Sequence, residues 1–301
     1  MNFERLLRRL RDDLAEGGLR GSFLVRDLAT GAEIGLDADR EFPAASLVKV
    51  PLVAVTLDRI RRGELDGAQP VEFTPEPAAT AGLTGLARFR HPARVAVDDL
   101  LYLAVAISDS TAADALFALT PPTEVARTVR GWDLTGISVR HGLAELGDTP
   151  AERFADDELH LAHSLAIGAA TAGQGHPVSQ LDISRASSCS ARACTDLLTA
   201  LWTPSKIDAG VAAQVRELMG QNLLRHRLAP DFAADSAKWS SKTGTVLNLR
   251  HEIGVVEHAD GQSFAVAALT ESNVPAGVQP EAEILMARTA RALRDHLRGR
   301  G

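Results

Sequence analysis

Apolar residues open the chain at helical spacing: Phe3, Leu6, Leu7, Leu10 and Leu14 predict a first helix with one buried stripe. The period then shortens to two. Residues 21–26 and 32–36 read as strands, and the polar stretch 27–31 between them makes a hairpin. Helical spacing returns over 46–62 and stops near Gly63. It reappears over 97–106 and 111–119, and Pro121-Pro122 then breaks the pattern. Further helices are predicted over 191–202 and 211–224. Strands are predicted over 246–249, 252–257 and 263–269, with a turn at 258–261, and 281–297 reads as a closing helix. Residues 144–179, rich in Gly, His and acids, carry the weakest period. A helix over 150–167 is the only element expected there.

The order helix, hairpin, helical block, three strands, helix predicts an α/β fold. One antiparallel sheet draws strands from both chain ends, and the terminal helices cover it. The division expected is an α/β lobe from residues 1–40 and 205–301 and a mainly helical lobe from 41–204, with any site between them.

Composition narrows the function. The 301 residues suffice for one large domain or two lobes, and the hydrophobic content of 45% and charged content of 24% are ordinary for a soluble protein. A net charge of −7 argues against nucleic acid and anionic membranes as partners. Aromatic residues at only 4% leave few stacking platforms. No apolar run approaches the length of a membrane span, and the acidic, amphipathic start does not read as a signal peptide, so a cytoplasmic location is expected. Cys189 and Cys194 read as reduced thiols. His160 and His163 beside Asp156, Asp157 and Glu158 read as a solvated helix face rather than a metal site; no metal or cofactor is called for. There is no GxSxG elbow, phosphate loop or dinucleotide fingerprint.

Three short motifs carry the chemistry. In Ser46-Leu47-Val48-Lys49, serine and lysine share a face of a helical start. A serine hydroxyl needs an adjacent base, and Lys49 can serve only when burial or neighbouring positive charge lowers its pKa. In Ser108-Asp109-Ser110, which ends an apolar helix, Asp109 can hold the turn through backbone N–H groups. Ser108 can relay a proton, and Ser110 can bond a substrate amide. In Lys242-Thr243-Gly244-Thr245, Lys242 supplies charge and Gly244 allows close approach. The N–H of Thr245 can join that of Ser46 as an oxyanion hole, while the Thr243 and Thr245 hydroxyls with Arg250 can hold a carboxylate. Each motif alone also fits an ordinary helix start, helix cap or strand edge. The ordered set of three is what carries weight.

That set resembles the SxxK, SDN and KTG motifs of class A β-lactamases and related penicillin-recognising serine enzymes. The resemblance extends over most of the chain, through GSFLVRDLATGAEIG, VDDLLYLAVAISDSTAADAL and KTGTVLNLRHEIGVVE. It implies the β-lactamase/transpeptidase-like two-lobe fold and catalysis through an acyl-Ser46 intermediate. Ser46, Lys49, Ser108 and Lys242 would be catalytic. Ser110, Thr243, Gly244, Thr245 and Arg250 would bind a small substrate, an amide, ester or lactam bearing a carboxylate.

Two departures from the family pattern matter. Ser110 stands where the family has Asn. The ExxxN element, whose Glu activates the deacylating water in class A enzymes, is incomplete, because no Asn lies between Ser110 and Met219. Gly142 falls at or near the place of that Glu, and Glu145, Glu152 and Glu158 are the nearby carboxylates. The only tyrosine, Tyr102, lacks an Asn two positions on, which excludes a Tyr-based site. The expectation is a serine hydrolase or acyltransferase with weak or absent β-lactam turnover. The alternatives are a genuine β-lactamase using one of those carboxylates, Glu145 among them, and a non-catalytic binder.

Overall fold

In the computed structural model, which describes residues 3–75, 84–147, 149–168 and 173–299, the two ends of the chain meet on one sheet. Helix α1 (Phe3–Glu16) leads into β1 (Leu19–Asp27) and β2 (Glu33–Leu36). A short β3 (Glu41–Pro43) precedes the helical turn Ala45–Val48 and α2 (Lys49–Arg61). The ribbon β4 (Pro70–Phe73) and β5 (Ala93–Ala96) is followed by α3 (Val97–Ala106), α4 (Ser110–Leu119) and α5 (Pro122–Gly131). Then come β6 (Ile137–Ser138), α6 (Leu159–Gly168), β7 (Ser188–Ser190), α7 (Ala191–Trp202), α8 (Ala209–Gly220) and α9 (Ala229–Phe232). The chain closes with β8 (Ala237–Val246), β9 (Leu249–His258), β10 (Ser263–Ser272) and α10 (Pro280–Leu297).

The main sheet has the order β2-β1-β10-β9-β8 and every pairing is antiparallel, so the predicted fold class holds. Alternation sorts its side chains into two cores. Phe23, Val25, Phe264, Val266 and Val256 pack with Leu6, Leu10 and Leu14 of α1 and with Met286 and Leu293 of α10. Leu24, Ala265, Ala267, Leu269 and Val255 face the other way, into the core built by α2, α3, α4, α7 and α8. Sheet faces covered on both sides explain why β10 reads as an apolar run rather than an alternation. Helix α8 packs on α2, α3 and α7 as well as on β8.

Several elements differ from the sequence reading. Residues 246–249 are not one strand: Val246 ends β8, Leu249 begins β9, and Leu247 and Asn248 make the turn between them, with Leu247 at φ +47°. The strand is the polar stretch before it, so the KTG motif lies inside β8 rather than ahead of a strand. Its polarity hid it, because Ser240, Ser241, Lys242 and Thr243 are all buried and Lys242 and Thr243 serve the site. Pro121-Pro122 starts a helix instead of only ending one. Pro122 takes the first helical position of α5, where a missing N–H costs nothing. The single helix expected over 150–167 is three pieces, two short turns (Pro150–Arg153 and Asp156–Glu158) and α6. The helix expected over 211–224 ends at Gly220, and Asn222 then takes over, its Oδ1 accepting from the Leu224 N–H at 3.0 Å.

Candidate active site

The Ser46 turn is anchored before it begins. Phe42 and Pro43 of β3 pair with Cys189 and Ser188 of β7, and the Ala44 N–H donates to Ser187 O at 2.7 Å. His251, fully buried in β9, accepts the Thr270 N–H on Nδ1 at 3.2 Å, so its proton sits on Nε2 and is donated to Pro43 O at 3.0 Å. Burial pushes its pKa down to about 3, which keeps the ring neutral. Ala45 then takes φ +47°, a left-handed conformation that costs a non-glycine residue on the order of 1–3 kcal/mol. Ser46 is part of a 3₁₀ turn, not of α2 itself, and Lys49 is the first residue of α2. In 3₁₀ geometry residues three apart eclipse, so the serine and lysine still share a side.

The second strained residue is Ser108, at φ +58°. Asp109 fixes this junction from below. Its Oδ1 accepts the Ala112 N–H at 3.1 Å as the cap of α4, and its Oδ2 accepts the Leu86 N–H at 2.7 Å. Gly85 has to be glycine, since a Cβ there would lie 2.0 Å from Asp109 Oδ2 and its φ is +66°.

Both lysines converge on Ser108. Lys242 Nζ donates to Ser108 Oγ at 2.8 Å and to Thr243 O at 2.8 Å. Lys49 Nζ reaches Ser108 O at 2.6 Å, Ser110 Oγ at 3.1 Å and Ser108 Oγ at 3.3 Å. As an ammonium, Lys49 spends three N–H groups on these oxygens; as an amine, one hydroxyl turns to donate to its lone pair. Burial lowers the Lys49 pKa to about 7, against the pull of Asp109 and Asp114. Lys242 is pushed well below its ordinary value, first by burial and then by the positive charges of Lys49 and Arg227. The sequence reading asked for a lysine that is neutral near pH 7, and the interior supplies the cause.

The third side of the site is an edge. Among the described strands β8 is the edge of the sheet, paired with β9, and its other edge packs on the Ser46 turn. Gly244 sits at that contact, where a Cβ would lie 3.2 Å from Ala44 O and from Leu47 Cγ. Thr243 and Thr245 face a cleft of about 410 Å³, together with Ser46, Thr84, Ile107, Ser108, Ser110, Leu143, Leu146, Gly147, Glu152, Leu224 and Val246.

Arg250 does not line this cleft. Its guanidinium is taken by the carbonyl oxygens of Leu247, Leu249 (2.8 Å) and Gly277 (2.7 Å), which correct the expectation that it holds a substrate carboxylate. The arginine behind the threonines is Arg227. It donates to Thr245 Oγ1 at 2.6 Å, Gly244 O at 2.9 Å and His251 O at 2.8 Å, and pairs with Glu283 at 3.1 Å. It precedes β8 in a stretch with no motif, so spacing could not find it.

Of the three candidate carboxylates, Glu152 reaches the cleft. It is exposed at the rim, and its Oε2 accepts the Thr149 N–H at 2.8 Å and the Thr149 hydroxyl in a capping box. Glu145 lines a separate small cavity with His141, Gln180 and Arg185, and Glu158 is exposed. Gly142 has no room for a side chain, because a Cβ would lie 2.7 Å from Asp114 Oδ1. His163, expected on a solvated face, is buried in α6, while His160 is exposed. Among the described residues no cluster of three or more metal-ligating side chains occurs. Both cysteines are free and buried.

A fold with its site between an antiparallel sheet and a helical block, and with SxxK, SDS and KTG motifs converging there, is that of a serine enzyme of the β-lactamase type. The chain belongs to the β-lactamase enzyme family, whose pattern matches residues 4–297. It is 62% identical over 309 aligned positions to the "Beta-lactamase regulatory protein BlaB" of Streptomyces cacaoi, covering 99% of both chains. Its fold is similar to that of the β-lactamase from Sphaerobacter thermophilus, at 18% identity, TM-score 0.76 and 98% coverage of each chain. It is also similar to PBP-A, at 16% identity and TM-score 0.75, covering 98% of this chain and 96% of that one.

Proposed function

We propose that this protein is a serine acyl-transfer enzyme that attacks carboxylate-bearing amides, esters or lactams through an acyl-Ser46 intermediate, and that it deacylates slowly. The observation that carries the reading is the Ser108 hydroxyl shared by two fully buried lysines, at 2.8 Å and 3.3 Å, in the wall of the cleft that Ser46 lines. Neutral Lys49 takes the Ser46 proton as Oγ bonds to the substrate carbonyl carbon. The N–H groups of Ser46 and Thr245 receive the oxyanion. As the C–N or C–O bond breaks, the Ser108 hydroxyl passes its proton to the leaving group and regains one from Lys49. Lys242 keeps its N–H on the Ser108 oxygen and orients that hydroxyl throughout.

The Thr243 and Thr245 hydroxyls take the substrate carboxylate. Arg227 supports them, because its donation to Thr245 Oγ1 leaves the threonine proton free to point at the anion. Slow deacylation follows from the opposite wall. The residues bordering the cleft there are Leu143, Leu146 and Gly147, and the carboxylate at the rim, Glu152, is already engaged by Thr149.

The regulatory name carried by the 62% identical relative favours a second reading, in which a long-lived acyl-enzyme, or a bound ligand alone, is a signal rather than a step in turnover. A third outcome, a working β-lactamase, would require Glu152 to leave Thr149 and hold a water. Steady-state hydrolysis of a chromogenic cephalosporin and of a chromogenic acyl ester by the protein and by Ser46→Ala separates them. The proposal expects slow turnover preceded by a burst, both lost in Ser46→Ala. Activity that survives Ser46→Ala would overturn it.

A further inference from the structure

Asp114, which no sequence motif marks, ties α4 to the Leu143 segment of the site. It lies on α4 four residues after Ser110, so both project from one face of the helix. Ser110 Oγ is 3.1 Å from Lys49 Nζ. The Asp114 carboxylate, one turn further along, accepts the Leu143 N–H at 2.5 Å and also bonds the Ala144 N–H. Leu143 begins the apolar wall opposite β8, and Gly142 before it is glycine because Asp114 Oδ1 fills the space of a Cβ. A neutral amide would hold that wall through the same acceptor oxygen. A carboxylate brings a charge as well, into the half-buried region beside a fully buried lysine.

We propose that Asp114 is a positioning residue for the acyl-transfer step: its carboxylate fastens the Leu143 wall to α4 and adds a negative charge one turn beyond Ser110, whose hydroxyl touches Lys49. The inference rests on the acyl-Ser46 reading. Around Lys49 the charged groups are Asp109, Asp114 and Lys242, with Arg227 beyond Lys242; around Asp114 they are Lys49 and Glu145. Asp109 uses both of its oxygens, one to cap α4 and one to hold the Leu86 N–H, whereas Asp114→Asn keeps an acceptor oxygen for the Leu143 N–H while removing the charge. Burial, with Glu145, raises the pKa of Asp114 above the usual carboxylate value, while the two N–H groups and Lys49 pull the other way, toward the ionised form. Its negative charge makes Lys49 a stronger base that is free only at higher pH. The same charge costs activity in acid.

The test is the pH profile of the acylation rate, followed by intact mass with a penicillin, for the protein, Asp114→Asn and Asp114→Glu. Asparagine keeps an acceptor for Leu143 and removes the charge. Its acidic limb is expected to move down by about one pH unit, the order of shift that a neighbouring opposite charge imposes. Normalised to the plateau, acylation at pH 6 then rises by about fivefold. Glutamate keeps the charge and is expected to leave the limb in place. A limb unmoved in Asp114→Asn, with the rate lowered equally at every pH, would assign Asp114 to structure alone and overturn the inference.

The carboxyl ¹³C shift of Asp114 in the unaltered protein gives a reading that does not depend on either variant folding. An ionised carboxylate through the Lys49 transition is expected. A proton retained above pH 7 would overturn the proposal. Absence of any adduct on the unaltered protein would instead defeat the acyl-Ser46 reading itself.

Discussion

At the scale of single residues, the site works by placing ionisable groups where water cannot help them. Lys49 and Lys242 are fully buried, and burial is the main cause of both lowered pKa values. Acylation is therefore expected to rise with pH through a limb near pH 7, as Lys49 loses its proton, and pH-jump kinetics of adduct formation would show it. Lys49→Met keeps the volume and removes the base; the acylation rate is expected to fall by a factor on the order of 10² to 10⁴, the usual worth of a positioned base. Its far-UV circular dichroism should not change. Asp109→Ala is a different kind of lesion. It strips the cap of α4 and leaves the Leu86 N–H buried without an acceptor, which together cost about 2–4 kcal/mol. Urea titration should record that loss, and an unchanged midpoint would count against the role given to Asp109.

Among elements, legibility followed burial chemistry. Amphipathic α1, and α3 and α7 with their clear helical spacing, were readable almost to the residue, because one apolar face tells the period. β8 was not, because its inward side chains serve the site instead of the core, so a strand of Ser, Lys and Thr looks like a loop. The three motifs were legible as chemistry, and the fold brings Ser46, Lys49, Ser108, Ser110, Lys242, Thr243 and Thr245 to one place. Arg227, His251 and Asp114 were illegible, since each acts through a backbone or side-chain contact that only the tertiary fold creates. Arg250 was misread for the same reason: nearness to the KTG motif in sequence placed its guanidinium under the β8–β9 turn, not in the cleft. One element is intolerant of any side chain. In β9, a Cβ on Gly254 would lie 2.5 Å from Ser240 O and 2.7 Å from Trp239. Gly254→Ala is expected to cost several kcal/mol or prevent folding, and a thermal scan would settle it.

For the whole molecule, the sheet closes from both chain ends and holds a helical block, with the cleft between the β8 edge and that block. Two of its buried lysines have native pKa values below those of the unfolded chain, which lie near 10.4. Between about pH 7 and 10 the unfolded chain binds protons that native Lys49 has released, so the unfolding free energy contributed by this group rises with pH across that window. Below pH 7 both states hold the proton and the contribution is flat. Denaturant midpoints of the protein are therefore expected to gain relative to Lys49→Met as pH rises from 7 to 10, and equal slopes for the two would contradict the buried, depressed lysine.

The central claim is that the cleft acylates at Ser46 and then stalls. Intact mass over time after mixing with a penicillin tests it most directly, with peptide mapping of the adduct. One stoichiometric adduct is expected, on Ser46, persisting long after free penicillin is removed. Rapid loss of the penicillin without any adduct building up would mean that a competent deacylating base exists, and would contradict it.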